Sequence, residues 1–389
     1  VTQVSADARV LLQRLAFLAP DPVPGFLLEG EVPGAPPLNA REALLDLARY
    51  SLVTREPAAD RFTVHRLVQD ATWRALYAAA ARERLTEALG WVNATFAGDP
   101  QHVRSWGRFD PLAPHVEAVA EHADAAGIAK PTARLMSDLG TLLQMKAPYA
   151  RSEPLDRRAL ALAEAGYGKD HPRVATRLNN LAQLLQATNR LDEAEPLIRR
   201  ALGIDEAGYG KDHPSVARDL NNLAELLRVT NRLGEAEPLM RRVLGIDEAS
   251  YGKDHPEVAR NLNNVAQLLQ ATNRLGEAEP LMRRALGIDE ASYGKDHPSA
   301  AGDLDNLALL LQDTTRLGEA EPLMRRALGI DEASYGNNHP NVATRLNNLA
   351  RLLQDTNRLG EAEPLMRRMV ANFLAFEHAT WHAHPHRDA

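Results

Sequence analysis

Five times, at an unvarying spacing of 42 residues, the sequence returns to a His-Pro step, at 171, 213, 255, 297 and 339. The same phrase surrounds each step. In the first copy it reads His171-Pro172-Arg173-Val174-Ala175-Thr176-Arg177-Leu178-Asn179-Asn180-Leu181-Ala182. It continues through Asn189-Arg190-Leu191 and Glu193-Ala194-Glu195-Pro196-Leu197 to Arg199-Arg200-Ala201-Leu202. A unit this short cannot bury its own apolar face, so copies must stack, each on the next. The chain is restricted to a repeat architecture, which points to a binding surface and away from a reaction centre.

Within one copy the spacing predicts two helices. The first spans about Pro172 to Ala187, with proline in the first helical position, where its missing N–H loses no bond. Leu178, Leu181, Ala182 and Leu185 follow i, i+3, i+4, i+7 and form its packing stripe. Thr188-Asn189-Arg190 makes the turn, with Asn suited to the left-handed conformation. The second helix runs from about Leu191 to Ala207, turning Ala194, Leu197, Ile198, Ala201, Leu202 and Ile204 inward. Small Ala182, Ala194 and Ala201 let the two axes approach closely. Pro196 falls near the first turn, where its cost is small. Ahead of the five copies, Thr132 to Met145 and Ser152 to Ala165 form a degenerate sixth. Its Leu139, Leu142, Leu143 and Pro154 lie 42 residues before Leu181, Leu184, Leu185 and Pro196. An atypical end unit is what a stack needs as a cap.

The first third of the chain reads differently. Residues 5 to 19 predict a helix, Pro20 to Pro37 a loop, and residues 40 to 49 a second helix. Leu52 to Arg55 and Arg61 to His65, around a turn at Pro57 to Asp60, predict a β-hairpin. A helix follows from Leu67 through Leu76. Residues 80 to 128 are helical in pattern, broken at Asp110 to Pro114.

Several function classes find no support. The net charge is −7, with no basic excess to draw nucleic acid or an anionic membrane. Cysteine is absent, which excludes disulfides and thiolate metal sites and fits a reducing, cytoplasmic location. No apolar run approaches the ~20 residues of a membrane span. Each Gly-Lys, at 168–169, 210–211, 252–253 and 294–295, is followed by Asp, so no phosphate-binding P-loop is present. The Tyr-Gly-Lys-Asp-His-Pro phrase reads as a helix-entry turn. His378, His382, His384 and His386 lie without carboxylate or Cys support, so no metal is assigned. No nucleophile, base and orienting acid stand together, and no catalytic residue is assigned. Arg199, Arg200, Glu193, Glu195 and Asp205 read as a solvated outer face with i,i+4 ion pairs.

The repeat resembles the tetratricopeptide repeat (TPR), normally 34 residues long. In its 42-residue form, with Leu-Asn-Asn-Leu-Ala, Glu-Ala-Glu-Pro-Leu and Asp-His-Pro, it is similar to the repeats of kinesin light chains and of bacterial NB-ARC–TPR proteins. The resemblance covers 132 to about 377. Helix, helix, two-stranded wing and helix is the winged-helix pattern. The stretch Leu44-Leu45-Asp46-Leu47-Ala48-Arg49-Tyr50-Ser51-Leu52-Val53, with Phe62-Thr63-Val64-His65-Arg66-Leu67-Val68-Gln69, resembles the winged helix of STAND-class nucleotide switches. Val64-His65-Arg66 stands where that family has Met-His-Asp, which implies that His65 touches a nucleotide phosphate.

The expected fold class is therefore mainly α, an α-solenoid of TPR hairpins preceded by a small winged-helix domain. A winged-helix domain is expected over 1–79, a helical connector over 80–130, a solenoid of one degenerate and five full repeats over 131–377, and a flexible tail over 378–389. The chain, which opens on Val1, reads as the C-terminal part of a STAND protein. The resemblance implies an upstream nucleotide-binding domain as its partner and ATP or ADP as that domain's cofactor, none being held by these residues. The alternatives are a kinesin-light-chain-like adaptor and a winged-helix DNA-binding regulator.

In the resembling families the first helices line a groove that holds a protein or peptide ligand, and Asn side chains there hold its main chain. An amide both donates and accepts, so a ladder of amides suits an extended peptide. The candidate groove residues are Thr176, Asn179, Asn180, Gln183 and Gln186, then Arg218, Asn221, Asn222, Glu225 and Arg228. The third copy supplies Arg260, Asn263, Asn264, Gln267 and Gln270. The fourth supplies Asp305, Asn306 and Gln312, and the fifth Asn347, Asn348, Arg351 and Gln354. Asp305, where other copies have Asn, marks the sharpest departure.

Overall fold

The computed structural model describes residues 4–146 and 149–382. By packing, the chain divides into two units, Val1–Gly208 and Tyr209–Ala389.

The first unit opens on α1 (Ala6–Leu15), whose entry is capped by the Ser5 hydroxyl accepting from the Ala8 amide at 3.2 Å. Then come β1 (Val23–Pro24), a short 3-10 turn (Gly25–Glu29), α2 (Ala40–Arg49), β2 (Val53–Glu56), β3 (Arg61–Val64) and α3 (Arg66–Arg74). The strands form one antiparallel sheet in the order β1-β3-β2, with Val53 opposite Val64 and Val23 opposite Phe62. The hairpin and α2 stand where periodicity predicts them, whereas β1 lies inside the expected loop. Two residues are too few to show alternation, and Pro24 is tolerated because β1 is an edge strand. The Gln69 amide donates to the carbonyls of Leu15 and Leu18, at 3.0 and 3.1 Å, and ties α3 to the end of α1.

The segment after α3 is not a tether. It folds into α4 (Ala78–Thr95), α5 (Val103–Phe109), a 3-10 turn (Asp110–Leu112) and α6 (Ala113–Ala125). Leu89, Trp91, Val92, Phe96, Phe109, Leu112 and Val116 share one core with Leu11, Leu15, Leu47 and Phe62. A break between α4 and α5, absent from the expected continuous helix, occurs at Gly98-Asp99-Pro100, where proline cannot continue a helix. It folds Phe109 back onto Phe96, ring centroids 4.4 Å apart.

The hairpins follow. In the first unit they are α7 (Lys130–Met145) with α8 (Tyr149–Tyr167), and α9 (Pro172–Ala187) with α10 (Leu191–Tyr209). The second unit holds α11 (Pro214–Val229), α12 (Leu233–Tyr251), α13 (Pro256–Ala271), α14 (Leu275–Tyr293), α15 (Pro298–Asp313), α16 (Leu317–Tyr335), α17 (Pro340–Asp355) and α18 (Leu359–His382). The last helix runs beyond the expected boundary at 377. Residues 383–389, with His384 and His386, lie outside the described residues.

Local chemistry sets each hairpin. Every His-Pro histidine is a helix cap: the Nδ1 atoms of His171, His213, His255, His297 and His339 accept from the amide two residues on, at 3.1–3.2 Å. Each ring also packs against the tyrosine four residues before it, as Tyr209 does on His213 at 4.4 Å. The second helices extend to that tyrosine, two residues further than periodicity predicts. Asn189, Asn231, Asn273 and Asn357 close their turns at φ 58°, and Thr315 at φ 60°. Leu178, Leu181, Ala182, Leu185, Ala194 and Ala201 are buried, and each large aliphatic contributes about 1.5–3 kcal/mol of burial.

Candidate functional site

A first helix inside a stack touches its own partner helix and the first helices of neighbouring repeats, as α13 touches α15 and α15 touches α17. Its buried arc is therefore wider than an apolar stripe read for two-helix packing. This corrects three of the groove expectations: Asn179, Asn263 and Asp305 are buried, Asn179 and Asp305 to 3% exposure, and within the second unit Asn263 and Asp305 face the next repeat. Asn221 is half-buried and Asn347 exposed.

The second Asn of each pair lies further out. Asn180, Asn222, Asn264, Asn306 and Asn348 are all half-buried. Asn180 donates to the Ser137 hydroxyl at 2.9 Å, and Asn348 to Asp305 Oδ2 at 2.8 Å.

The other candidates sort by their partners. In the first unit Gln183 is exposed, Gln186 is half-buried, and the Thr176 hydroxyl donates to the Pro172 carbonyl at 3.4 Å. In the second unit Arg218 meets Asp219 at 3.3 Å, Arg228 pairs with Glu225 at 2.6 Å, and Arg260 pairs with Glu257. Gln270 donates to Asp313 and Gln312 to Asp355, each reaching the next copy. Gln354 lies 3.1 Å from the Met366 sulfur. Gln267 and Arg351 are exposed. His65 is exposed at the entry to α3 and makes no capping bond.

The outer faces depart from expectation in two ways. Asp205, expected in solvent, is buried, as are its equivalents Asp247, Asp289 and Asp331. The arginines do more than pair along their own helices. Arg199 meets Glu195 four residues back at 2.7 Å, but Arg200 reaches Glu164 of the preceding hairpin at 2.5 Å. Arg274 joins Glu237 of the preceding copy (2.6 Å) to Glu277 of its own (2.7 Å). Arg316 and Arg358 do the same with Glu279 and Glu319, and with Glu321 and Glu361.

The first helix of each full copy also carries a polar residue at one position that sequence reasoning missed: Arg177 in the first unit and, forming a column within the second, Asp219, Asn261, Asp303 and Arg345. Its signal was available, since this position changes charge from copy to copy while its neighbour Leu178 and that leucine's equivalents stay constant. In the second unit Asn261 donates to the buried Asp247 at 2.6 Å, and Asn263 to Asp303 at 2.6 Å. Arg345 spans two acids, Asp331 at 2.9 Å and Asp305 at 2.7 Å. Burial pushes the carboxyls of Asp247, Asp289 and Asp305 up, with Arg345 pulling Asp305 the other way. Burial carries Asp303 up to about 7. In the first unit Arg177 stands 3.9 Å from Asp138, and burial pushes the nearby Asp156 up to about 7.

The comparisons agree with this geometry. Residues 131–207, 190–249, 220–291 and 299–375 match the tetratricopeptide repeat family, together more than half of the chain. The chain belongs to the tetratricopeptide repeat family. Residues 1–80 match a domain of unknown function (DUF7779). No curated protein matches the chain. Among solved structures, the TPR chain is similar to BtubC (BKLC) from P. vanneervenii at 23% identity and a TM-score of 0.50, over 62% of this chain and 94% of that one. It is also similar to the apo form of RapI, at 13% identity and a TM-score of 0.52, over 70% of this chain and 96% of that one. Nearly identical TPR-like repeats from Podosopora anserina, bearing the name kinesin light chain, match at 21% identity and a TM-score of 0.48, over 52% of this chain and 95% of that one. The first two likenesses concern the fold alone, and the tetratricopeptide repeats imply protein interaction in general. Among the described residues no helix is long and apolar enough to cross a membrane, and no group of three His, Cys, Asp or Glu could hold a metal ion.

Proposed function

We propose that this chain is the sensing and protein-interaction region of a STAND-type nucleotide switch. The repeats take an extended peptide or protein segment along their first helices, and the N-terminal part acts as the winged-helix arm through which that binding biases an upstream nucleotide-binding domain. No catalytic role is assigned to these residues. The observation that carries the peptide half is the half-buried second Asn, present in every full copy beside outward Gln183, Gln267 and Arg351. An amide at that depth can satisfy a peptide's N–H and C=O together. The switch half is supported by the sheet order β1-β3-β2 with α2 just ahead of the hairpin, and by His65 standing exposed where strand meets helix.

A DNA-reading role fits less well. In α2, Arg41 is held by Glu29 at 2.6 Å, and Glu42 and Asp46 offset Arg49. An adaptor that only tethers partners is the second reading, and it makes no use of residues 1–80.

Two measurements test the proposal separately. Peptides selected from a random library against the chain should lose about tenfold or more in affinity to Asn264→Ala/Asn306→Ala, since two hydrogen bonds of ~1 kcal/mol are removed. Unchanged affinity would remove the amide ladder. The chain expressed with whatever precedes Val1 in its gene should co-purify with adenine nucleotide, and should lose it on His65→Ala. Absence of nucleotide would remove the switch.

A further inference from the structure

Within the second unit the buried polar column meets the preceding copy at three successive seams, and only two of them are matched. Between the second and third copies, Asn261 on α13 donates to Asp247 on α12. Between the fourth and fifth, Arg345 on α17 bridges Asp331 on α16 and Asp305 on α15. Between the third and fourth, the two equivalent positions hold Asp303 on α15 and Asp289 on α14, both acids and both more than nine-tenths buried. Asn263 on α13 donates to Asp303 Oδ1. Asp303 Oδ2, Asp289 Oδ1 and Asn263 Oδ1 are left with no partner in the protein. The fourth–fifth seam also leaves Asp305 Oδ1 and Asp331 Oδ1 without partners, but there Arg345 bonds both acids, whereas here three acceptors are orphaned and, among the described residues, neither acid has an ion pair.

The surrounding charges do not supply one. Glu290, the other acid on α14 that bears on Asp303, is engaged by Arg326 on α16 at 2.7 Å. Asp305, on Asp303's own helix, is taken up by Arg345 and Asn348 on α17. His297, ahead of α15, draws Asp289 toward its ionised form, and its Nδ1 is already occupied by the Ser299 amide.

We propose that the seam between the third and fourth copies is a proton-operated joint. One proton held between Asp289 and Asp303 closes it as its neighbours are closed, and loss of that proton leaves two buried carboxylates facing each other. Stacked repeats are held by nearest-neighbour seams, so weakening one divides the array at that point. The elevated Asp303 carboxyl places the change near neutrality. An acid raised in the folded state makes the fold firmer as pH falls from about 7 toward the unfolded value near 4, and looser as pH rises again.

The test uses the full chain with Asp303→Asn, which places at this seam the side chain that Asn261 supplies one copy earlier. At pH 8 the variant should melt about 2–4 °C higher than the parent, and near pH 5 most of that difference should be gone. Amide exchange in α14 and α15 should slow at pH 8, with α11 and α12 unchanged. Asp289→Asn should act alike, and the double variant should gain no more than either single one. A variant no more stable than the parent at pH 8, or an equal difference at both pH values, overturns the proposal. So does a parent stabilised by Ca²⁺ or Mg²⁺ at pH 8 in a manner that Asp303→Asn abolishes, because a cation would then fill the seam.

Discussion

Arg345 reaches back across the last seam to Asp305, Nη1 to Oδ2 at 2.7 Å, while its Nε holds Asp331 at 2.9 Å. Asp305 and Asp331 are buried, and burial alone would push the Asp305 carboxyl up. Removing the cation leaves both acids behind. Arg345→Ala should lower stability by about 3 kcal/mol, the cost of stranding buried charge. Urea unfolding followed by helical circular dichroism measures it, and a loss below that of an exposed pair would show that the seam does not depend on the bridge.

Thr315 closes the fourth hairpin at φ 60°, where the other four copies use Asn at 58°. A β-branched residue is strained there, whereas Asn visits this region readily. Thr315→Asn should raise stability by about 1 kcal/mol. Thermal unfolding checks it, and an unchanged midpoint would mean that the turn tolerates the strain.

In the degenerate repeat two departures occur as a pair. Gly140 replaces the Ala found at 182, 224, 266, 308 and 350, and Asp156 replaces the Ile or Met found at 198, 240, 282, 324 and 366. They meet: a Cβ on Gly140 would lie 2.7 Å from Asp156 Oδ1. Gly140→Ala alone should destabilise. Adding Asp156→Ile should restore stability, with a coupling of about 1–3 kcal/mol in the double-mutant cycle. Additive effects would deny the contact.

The same Asp156 carries a pH dependence. Its carboxyl is pushed up to about 7 by burial, against the pull of the Gln144 amide and of Arg177. Its folded value lies above the unfolded one, so its contribution is most favourable at acid pH and is lost as pH rises from about 4 through about 7. Asp156→Asn should be more stable than the parent at pH 8, with most of that difference gone near pH 5. Melting curves at the two pH values decide the matter.

Arg274 joins Glu237 of one copy to Glu277 of the next on a half-exposed outer face. Exposed pairs contribute little and are screened by salt. Arg274→Ala should lower the melting midpoint slightly in dilute buffer and not at all in about 0.5 M salt. A loss that persists in salt would make the bridge a structural fastening.

Much of the fold was legible. The stripe Leu178, Leu181, Ala182 and Leu185, the proline entry at 172 and the Asn turn at 189 place each hairpin, because helix periodicity and turn chemistry act within a few residues. The two-residue strand at Val23 and the shared core joining Trp91 and Phe109 to Leu47 were not, since neither leaves a local period. The site divides along the same line. Copy-to-copy comparison located the Asn pairs, but not that Asn179 and Asn263 are buried, Asn263 against the next copy's Asp303, while Asn180 and Asn264 lie further out.

By itself, then, the sequence determined the repeat, its two helices and its apolar stripe, all of which depend on neighbours close along the chain. Only the tertiary structure decided what each polar side chain meets, because those partners stand about one repeat away. Asp205 illustrates this. Beside Glu206 it looks like part of a solvated face, yet it is buried, as are Asp247, Asp289 and Asp331. Once water is excluded at those positions, the choice of Asn, Asp or Arg opposite each acid sets how firmly each seam closes.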